Sequence, residues 1–182
     1  MMSNFFEVKN VDFNVSGITK VRNVSFSIEK EGDIICLLGP SGIGKTTILR
    51  TIAGLEKINN GSIKLKDKIL SSKKENIEPE ERNISLAFQE NSLFPHYDVE
   101  KNILLGAEKN KEKKEKKISF NEIVELLDIV QILKKYPHQI SAGEAQRASL
   151  ARSLITQPDL LLLDEPLSNV DQSFKEEIQV KL

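Results

Sequence analysis

The sequence predicts an α/β fold, with a parallel-sheet core, a small antiparallel β subdomain ahead of it and a helical insert within it. Three observations carry the prediction. A glycine-rich loop at residues 39–46 lies between an apolar run and a helical pattern. A second apolar run, Leu160-Leu161-Leu162-Leu163, ends in two carboxylates, Asp164 and Glu165. Between about 92 and 156 the chain reads as helices, two of them opened by Ser-x-x-Glu. All 182 residues are read as one domain, with 1–91 and 157–182 as the core and 92–156 as the helical part.

Phe6, Val8, Val11 and Phe13, then Val24, Phe26 and Ile28, occupy strand-like stretches separated by a Ser16-Gly17 turn, so antiparallel pairing is expected. Glu31-Gly32-Asp33 turns into Ile34-Ile35-Cys36-Leu37-Leu38, a run of the kind buried on both faces of a parallel sheet. A helix is predicted from Lys45, because Ile48, Leu49, Ile52 and Leu55 recur at helical spacing and Gly54 is placed to stop it. Asn59-Asn60-Gly61 marks a tight turn before short strands at 62–65 and 68–70. Residues 71–83, polar and containing Pro79, are read as loop, and Ile84-Ser85-Leu86-Ala87-Phe88 as the next core strand, ending at Gln89.

Leu93-Phe94-Pro95-His96 then forms a loop, with a short helix over 99–106 and Asp98 near its start. The Lys- and Glu-rich run at 109–117 reads as a solvated linker or helix face. Ser119 and Glu122 form a capping box, opening a helix whose Phe120, Ile123, Val124, Leu126, Leu127 and Val130 share one face. Ser141 and Glu144 open another, which runs to about Ile155 before Pro158-Asp159 breaks it. A last helix begins near Asp171.

The net charge of -1 points to neither nucleic acid nor an anionic membrane surface as a partner. No apolar run approaches the roughly 18 residues of a membrane helix, so work at a membrane requires another chain to cross it. The opening residues lack the basic and apolar segments of a signal peptide. Cys36, the single cysteine, is expected in the core, with a reducing, cytosolic setting as the default.

The chemistry centres on Gly39-Pro40-Ser41-Gly42-Ile43-Gly44-Lys45-Thr46, which fits G-x-x-x-x-G-K-[ST] without a mismatch. Glycines let successive N–H groups curl around a phosphate. Lys45 adds a cation for the outer phosphates, Thr46 a hydroxyl for Mg²⁺, and the helix start a partial positive charge; Thr47 follows in the same turn. Strand, loop and helix in that order are the required setting, so nucleotide-phosphate binding is expected. Asp164 and Glu165 fall at the carboxyl end of a strand, where ligands bind in open α/β sheets. Asp164 is expected to hold Mg²⁺ through water, and Glu165 to polarise the attacking water as general base. Gln89, at another strand end, is placed to reach the metal and that water.

The phosphate loop, Gln89, Ile140-Ser141-Ala142-Gly143-Glu144-Ala145-Gln146-Arg147, residues 160–166 and Ser168-Asn169-Val170-Asp171 occur in one order and spacing. That order resembles the nucleotide-binding subunit of an ATP-binding-cassette (ABC) transporter over essentially the whole chain. The resemblance implies a P-loop NTPase (RecA-like) core with an N-terminal antiparallel β subdomain and an inserted helical subdomain. It also implies ATP and Mg²⁺ as cofactors and a head-to-tail homodimer, with ATP between the phosphate loop of one copy and Ser141 and the Gly143 N–H of the other. Ser168 and Asp171 match the segment that crosses such a dimer. Gln89 would report the γ-phosphate to the helical part, and residues 89–103 would pass it to membrane permease subunits. A solute-binding protein would take part indirectly, nucleic acid would not, and the location would be peripheral on the cytoplasmic face of the inner membrane.

Leu93-Phe94-Pro95-His96 and Asp98-Val99-Glu100-Lys101-Asn102-Ile103 resemble bacterial importers that work with a periplasmic or surface binding protein, and Tyr136-Pro137-His138 with Leu167-Ser168-Asn169-Val170-Asp171 resembles the iron(III), polyamine and molybdate group among them, with iron(III) favoured. Two other readings stay open: a soluble ABC regulatory protein, and a module that binds ATP without turnover. The chain departs from the family pattern at Ala142, where glycine is usual, and at Glu144, where glutamine is. The family's adenine-stacking aromatic falls near Val15, so Phe13 is the candidate in its place. The family's catalytic histidine follows the helix that begins near Asp171, which implies a C-terminally truncated form with an incomplete sheet and weak or absent hydrolysis. His96 and His138 lie in the helical part and do not replace it.

Overall fold

The computed structural model describes residues 4–15, 19–88, 93–107 and 118–164. The chain divides into two compact units, Met1–Asn83 and Ile84–Leu182. The division falls ahead of the strand at 84–87 rather than at residue 92, so that strand groups with the helices that follow it.

The first unit is built on a four-stranded sheet of order β2-β1-β3-β4, comprising β1 (Phe6–Val15), β2 (Thr19–Ile28), β3 (Ser62–Leu65) and β4 (Lys68–Ser72). Neighbours run antiparallel throughout, as expected. The apolar residues of β1 do not alternate strictly, since Val8 to Val11 is a step of three. A bulge explains the step. The register with β2 shifts between Val8 and Val11, Asn10 takes φ 50°, and Val11 and Phe13 are buried along with Phe6 and Val8. Asn accepts the left-handed region through its short polar side chain. The Ser25 hydroxyl takes the Asn10 N–H at 2.9 Å, satisfying a donor that the bulge frees from the ladder. Helix α1 (Lys45–Ala53) packs against β1.

In the second unit β5 (Ile84–Ala87) and β6 (Leu160–Leu163) pair in parallel, from Ile84 opposite Leu160 to Ala87 opposite Leu163. Helix α4 (Ala142–Leu154) packs against β5, against α2 (Val99–Ala107) and against α3 (Phe120–Leu126). Val99, Ile103, Ile123, Leu127, Ile132 and Leu150 belong to the core of this unit; each such side chain contributes about 1.5–3 kcal/mol on burial. The helix starts follow the predicted chemistry. Asp98 accepts the Lys101 N–H at 2.8 Å at the head of α2, and both capping boxes form, at Ser119–Glu122 and Ser141–Glu144. No helix among the described residues is long and apolar enough to cross a membrane.

Two expectations are corrected. Residues 34–38 join neither sheet; Ile34 is 83% and Leu38 91% exposed, and Cys36 is exposed rather than in the core. A run apolar on both faces is held as a strand only where neighbours on both edges take its N–H and C=O groups and other elements cover its faces. Neither condition is met within the first unit, whose sheet is already complete as β2-β1-β3-β4. Val130 is also not on the α3 face. The helix ends at Leu126, Val130 starts a separate 3₁₀ turn and is half exposed, and Ile132 fills the core in its stead. The expected helix near Asp171 and the charge run at 109–117 lie outside the described residues.

Candidate functional site

The glycine-rich loop delivers the chain into α1 through a left-handed turn. Gly44 takes φ 108° and ψ 15° as the N-cap, a conformation a side chain would strain. With no side chain there, nothing caps the helix, and its first turn holds no acidic residue. The leading N–H groups of α1 therefore carry a partial positive charge that no carboxylate of that turn cancels. The Lys45 ammonium donates to the carbonyl oxygens of Gly39 at 2.8 Å and Pro40 at 3.1 Å, drawing the loop together across its mouth. Ser41, Gly42, Ile43 and Thr46 are exposed, Lys45 and Thr47 half-buried. Accessible N–H groups, a positioned ammonium and a free hydroxyl suit a multiply charged phosphate chain, and the Thr46 oxygen is a hard donor of the kind Mg²⁺ takes. The residues present fit both groups.

The far end of α1 is equally specified. Gly54, at φ 92°, ends the helix with its N–H on the Thr51 carbonyl at 3.0 Å, and the Leu55 N–H reaches the Arg50 carbonyl at 2.9 Å. The Thr51 and Ile52 carbonyls also receive the buried guanidinium of Arg82, at 3.3 and 2.9 Å. Burial pushes the Arg82 pKa down and the nearby Glu78 charge pushes it up; an arginine stays protonated through such shifts.

In the second unit Ser141 and Gly143 stand at the head of α4. The Ser141 hydroxyl accepts the Glu144 N–H at 3.2 Å, and a Glu144 carboxylate oxygen accepts the Ser141 N–H at 2.7 Å. These bonds, the backbone one first, hold the Glu144 carboxyl below the usual glutamate range. The Ser141 hydroxyl keeps its proton to donate elsewhere. Asp164 follows β6 directly and is buried, with its N–H on the Ala87 carbonyl at 3.1 Å. Gln89, Glu165, Ser168 and Asp171 lie outside the described residues. The described acids, histidines and cysteine form no cluster of three or more that would cage a metal.

Phe13 is corrected as the adenine platform. Its side chain is fully buried beneath the β1–β2 ladder and offers no face to a base.

Sequence reasoning missed Asn102. Its fully buried amide accepts the Phe94 N–H at 2.7 Å and donates to the carbonyls of Phe94, Tyr97 and Asp98 at 3.0–3.1 Å. The 94–98 loop thus hangs from one side chain. Phe94, His96 and Tyr97 form a ring cluster on that loop, and the Arg152 guanidinium lies 5.7 Å from the Phe94 centroid. An amide between Val99 and Ile103 on an apolar helix face was the available signal.

The parallel strand pair, the phosphate loop opening α1 and the helical region before β6 define a P-loop NTPase. The chain belongs to the ABC transporter family, whose domain model matches residues 21–168. It is 39% identical over 176 residues to the Fe(3+) ions import ATP-binding protein FbpC 2 of Haemophilus influenzae, covering 96% of this chain and 49% of that one. It is 40% identical over 177 residues to the spermidine/putrescine import ATP-binding protein PotA of Chromobacterium violaceum, covering 97% and 48%. The chain thus spans about half the length of the curated relatives it matches. Among solved structures, the dimeric ABC transporter cassette MJ0796 superimposes with a TM-score of 0.78 at 26% identity, covering 96% of this chain and 80% of that one.

Proposed function

We propose that this chain is the ATP-binding and ATP-hydrolysing part of a multi-subunit membrane importer. The observation that carries the reading is the uncapped, acid-free start of α1 with Lys45 drawn across the loop before it. That arrangement suits the β- and γ-phosphates of ATP, with loop N–H groups on their oxygens and the ammonium on their charge. Thr46 would hold Mg²⁺, which neutralises phosphate charge when bound; Asp164 and Gln89 are the oxygen donors that the sequence also offers for that ion. Glu165 is proposed as the base that takes the proton of the attacking water.

The head of α4 supplies the second half of the reaction in a head-to-tail pair of copies. The Ser141 hydroxyl and the Gly143 N–H would donate to the γ-phosphate of ATP held by the partner copy, where a helix N-terminus is an anion site. The dimeric structure of the similar cassette supports pairing of two copies. The 94–98 loop, with Phe94 half exposed, is proposed as the face that meets the permease, at the cytoplasmic side of the membrane. Iron(III) is the proposed cargo, because the first relatives carry that name; polyamine, maltose and glycerol-phosphate import proteins are about as similar.

Phosphate release measured beside ATP binding tests the reading. Binding together with turnover, and loss of turnover but not of binding in Ser141→Ala, is the expected pair. Binding without any phosphate release, alone or with the permease, would leave a nucleotide-holding module in place of an engine.

A further inference from the structure

Arg82 is fully buried, yet none of its hydrogen-bond acceptors is a carboxylate. Nε donates to the Ile77 carbonyl at 2.7 Å, and Nη1 to the Thr51 and Ile52 carbonyls. Nη2 donates to the Ser71 hydroxyl at 2.8 Å and the Asn76 amide oxygen at 3.0 Å. Every N–H of the fork is used. One side chain thereby ties the last turn of α1 to β4 and to the 76–77 segment. It takes the Ile52 carbonyl and shares the Thr51 carbonyl with the Gly54 N–H, and a cation is what that end of a helix favours. Gly54 makes room: a Cβ there would lie 2.5 Å from Nε.

We propose that Arg82 is a positioning residue for nucleotide binding, fixing α1 from its far end so that Lys45 and Thr46 meet the phosphates in place. This rests on the reading of the loop as an ATP site. A nine-residue helix is about 13.5 Å long, so Arg82 does not touch the phosphates, and its action on them runs through the placement of α1 by the fork. Lysine keeps the charge and loses the fork, so it does not substitute.

The test measures the Kd of the full chain for Mg-ATP by equilibrium dialysis, at a temperature where circular dichroism shows each variant folded. Arg82→Lys and Arg82→Met are expected to weaken binding about tenfold, the scale of a small misplacement of a binding group. Gly54→Ala, which pushes on the guanidinium, leaves the charge and also strains the backbone at φ 92°, is expected to weaken binding at least as much. A residue that only stabilises the fold would lower the melting temperature and leave Kd unchanged where the variant is folded. Folded Arg82→Lys or Gly54→Ala chains binding within twofold of wild type overturn the proposal. Should the Arg82 variants fail to fold, a Gly54→Ala chain that binds within twofold of wild type still overturns it. Wild-type chain that binds no ATP defeats the reading of the loop itself, a separate failure.

Discussion

Ser141 and Glu144 hold one another by two reciprocal hydrogen bonds, the hydroxyl taking the Glu144 N–H and the carboxylate taking the Ser141 N–H. The pair fixes the first turn of α4, the turn proposed to meet the partner's γ-phosphate. Ser141→Ala is expected to cost about 1 kcal/mol of stability, the usual value of a lost N-cap. Urea denaturation reads it.

The same pair gives a pH dependence with a definite sign. The folded Glu144 carboxyl is held below its unfolded value, by the Ser141 N–H first and the hydroxyl second. Its contribution is therefore present above the ordinary glutamate range and lost as pH falls through the folded value. Glu144→Gln should flatten that acid limb by lowering stability near neutrality, where the carboxylate's contribution is present, and leave stability at acid pH little changed. An unaltered acid limb would show that other carboxylates set it.

Asn102→Ala should release the 94–98 loop. Its removal strands the Phe94 N–H and several carbonyls, at about 1–3 kcal/mol for a buried group left unpaired. Hydrogen exchange at the Phe94 amide should accelerate. Protection equal to wild type would mean the loop holds without the amide.

Phe13 separates a core role from a base-stacking role. As a buried ring it should cost about 3–5 kcal/mol when cut to alanine. Phe13→Leu should keep the fold and leave the preference for ATP over GTP unchanged. A lost preference would return the ring to the adenine.

Local signals were the legible ones. The capping boxes at Ser119 and Ser141 formed because each is written within four residues, and Gly54 stopped α1 for the same reason. The loop at 39–46 was readable because its Gly39, Gly44, Lys45 and Thr46 fall at the fixed positions of a local pattern. What stayed illegible depends on distant partners. Residues 34–38 have the composition of a central strand but lack edge neighbours in their own unit, and composition does not supply neighbours. Phe13 looked available because it lay near Val15, whereas the bulge at Asn10 decides which face it takes. Arg82 and Asn102 carry no motif at all; only the folded chain shows what their hydrogen bonds reach.

The central claim is that the 39–46 loop and Lys45 enclose the phosphates of ATP. Calorimetric titration of Mg-ATP into wild type and Lys45→Ala tests it most directly. Saturable binding by wild type, weakened at least about tenfold in the variant by the loss of a charged hydrogen-bond partner, is the predicted result. Equal binding by both, or none by the folded wild type, would contradict it.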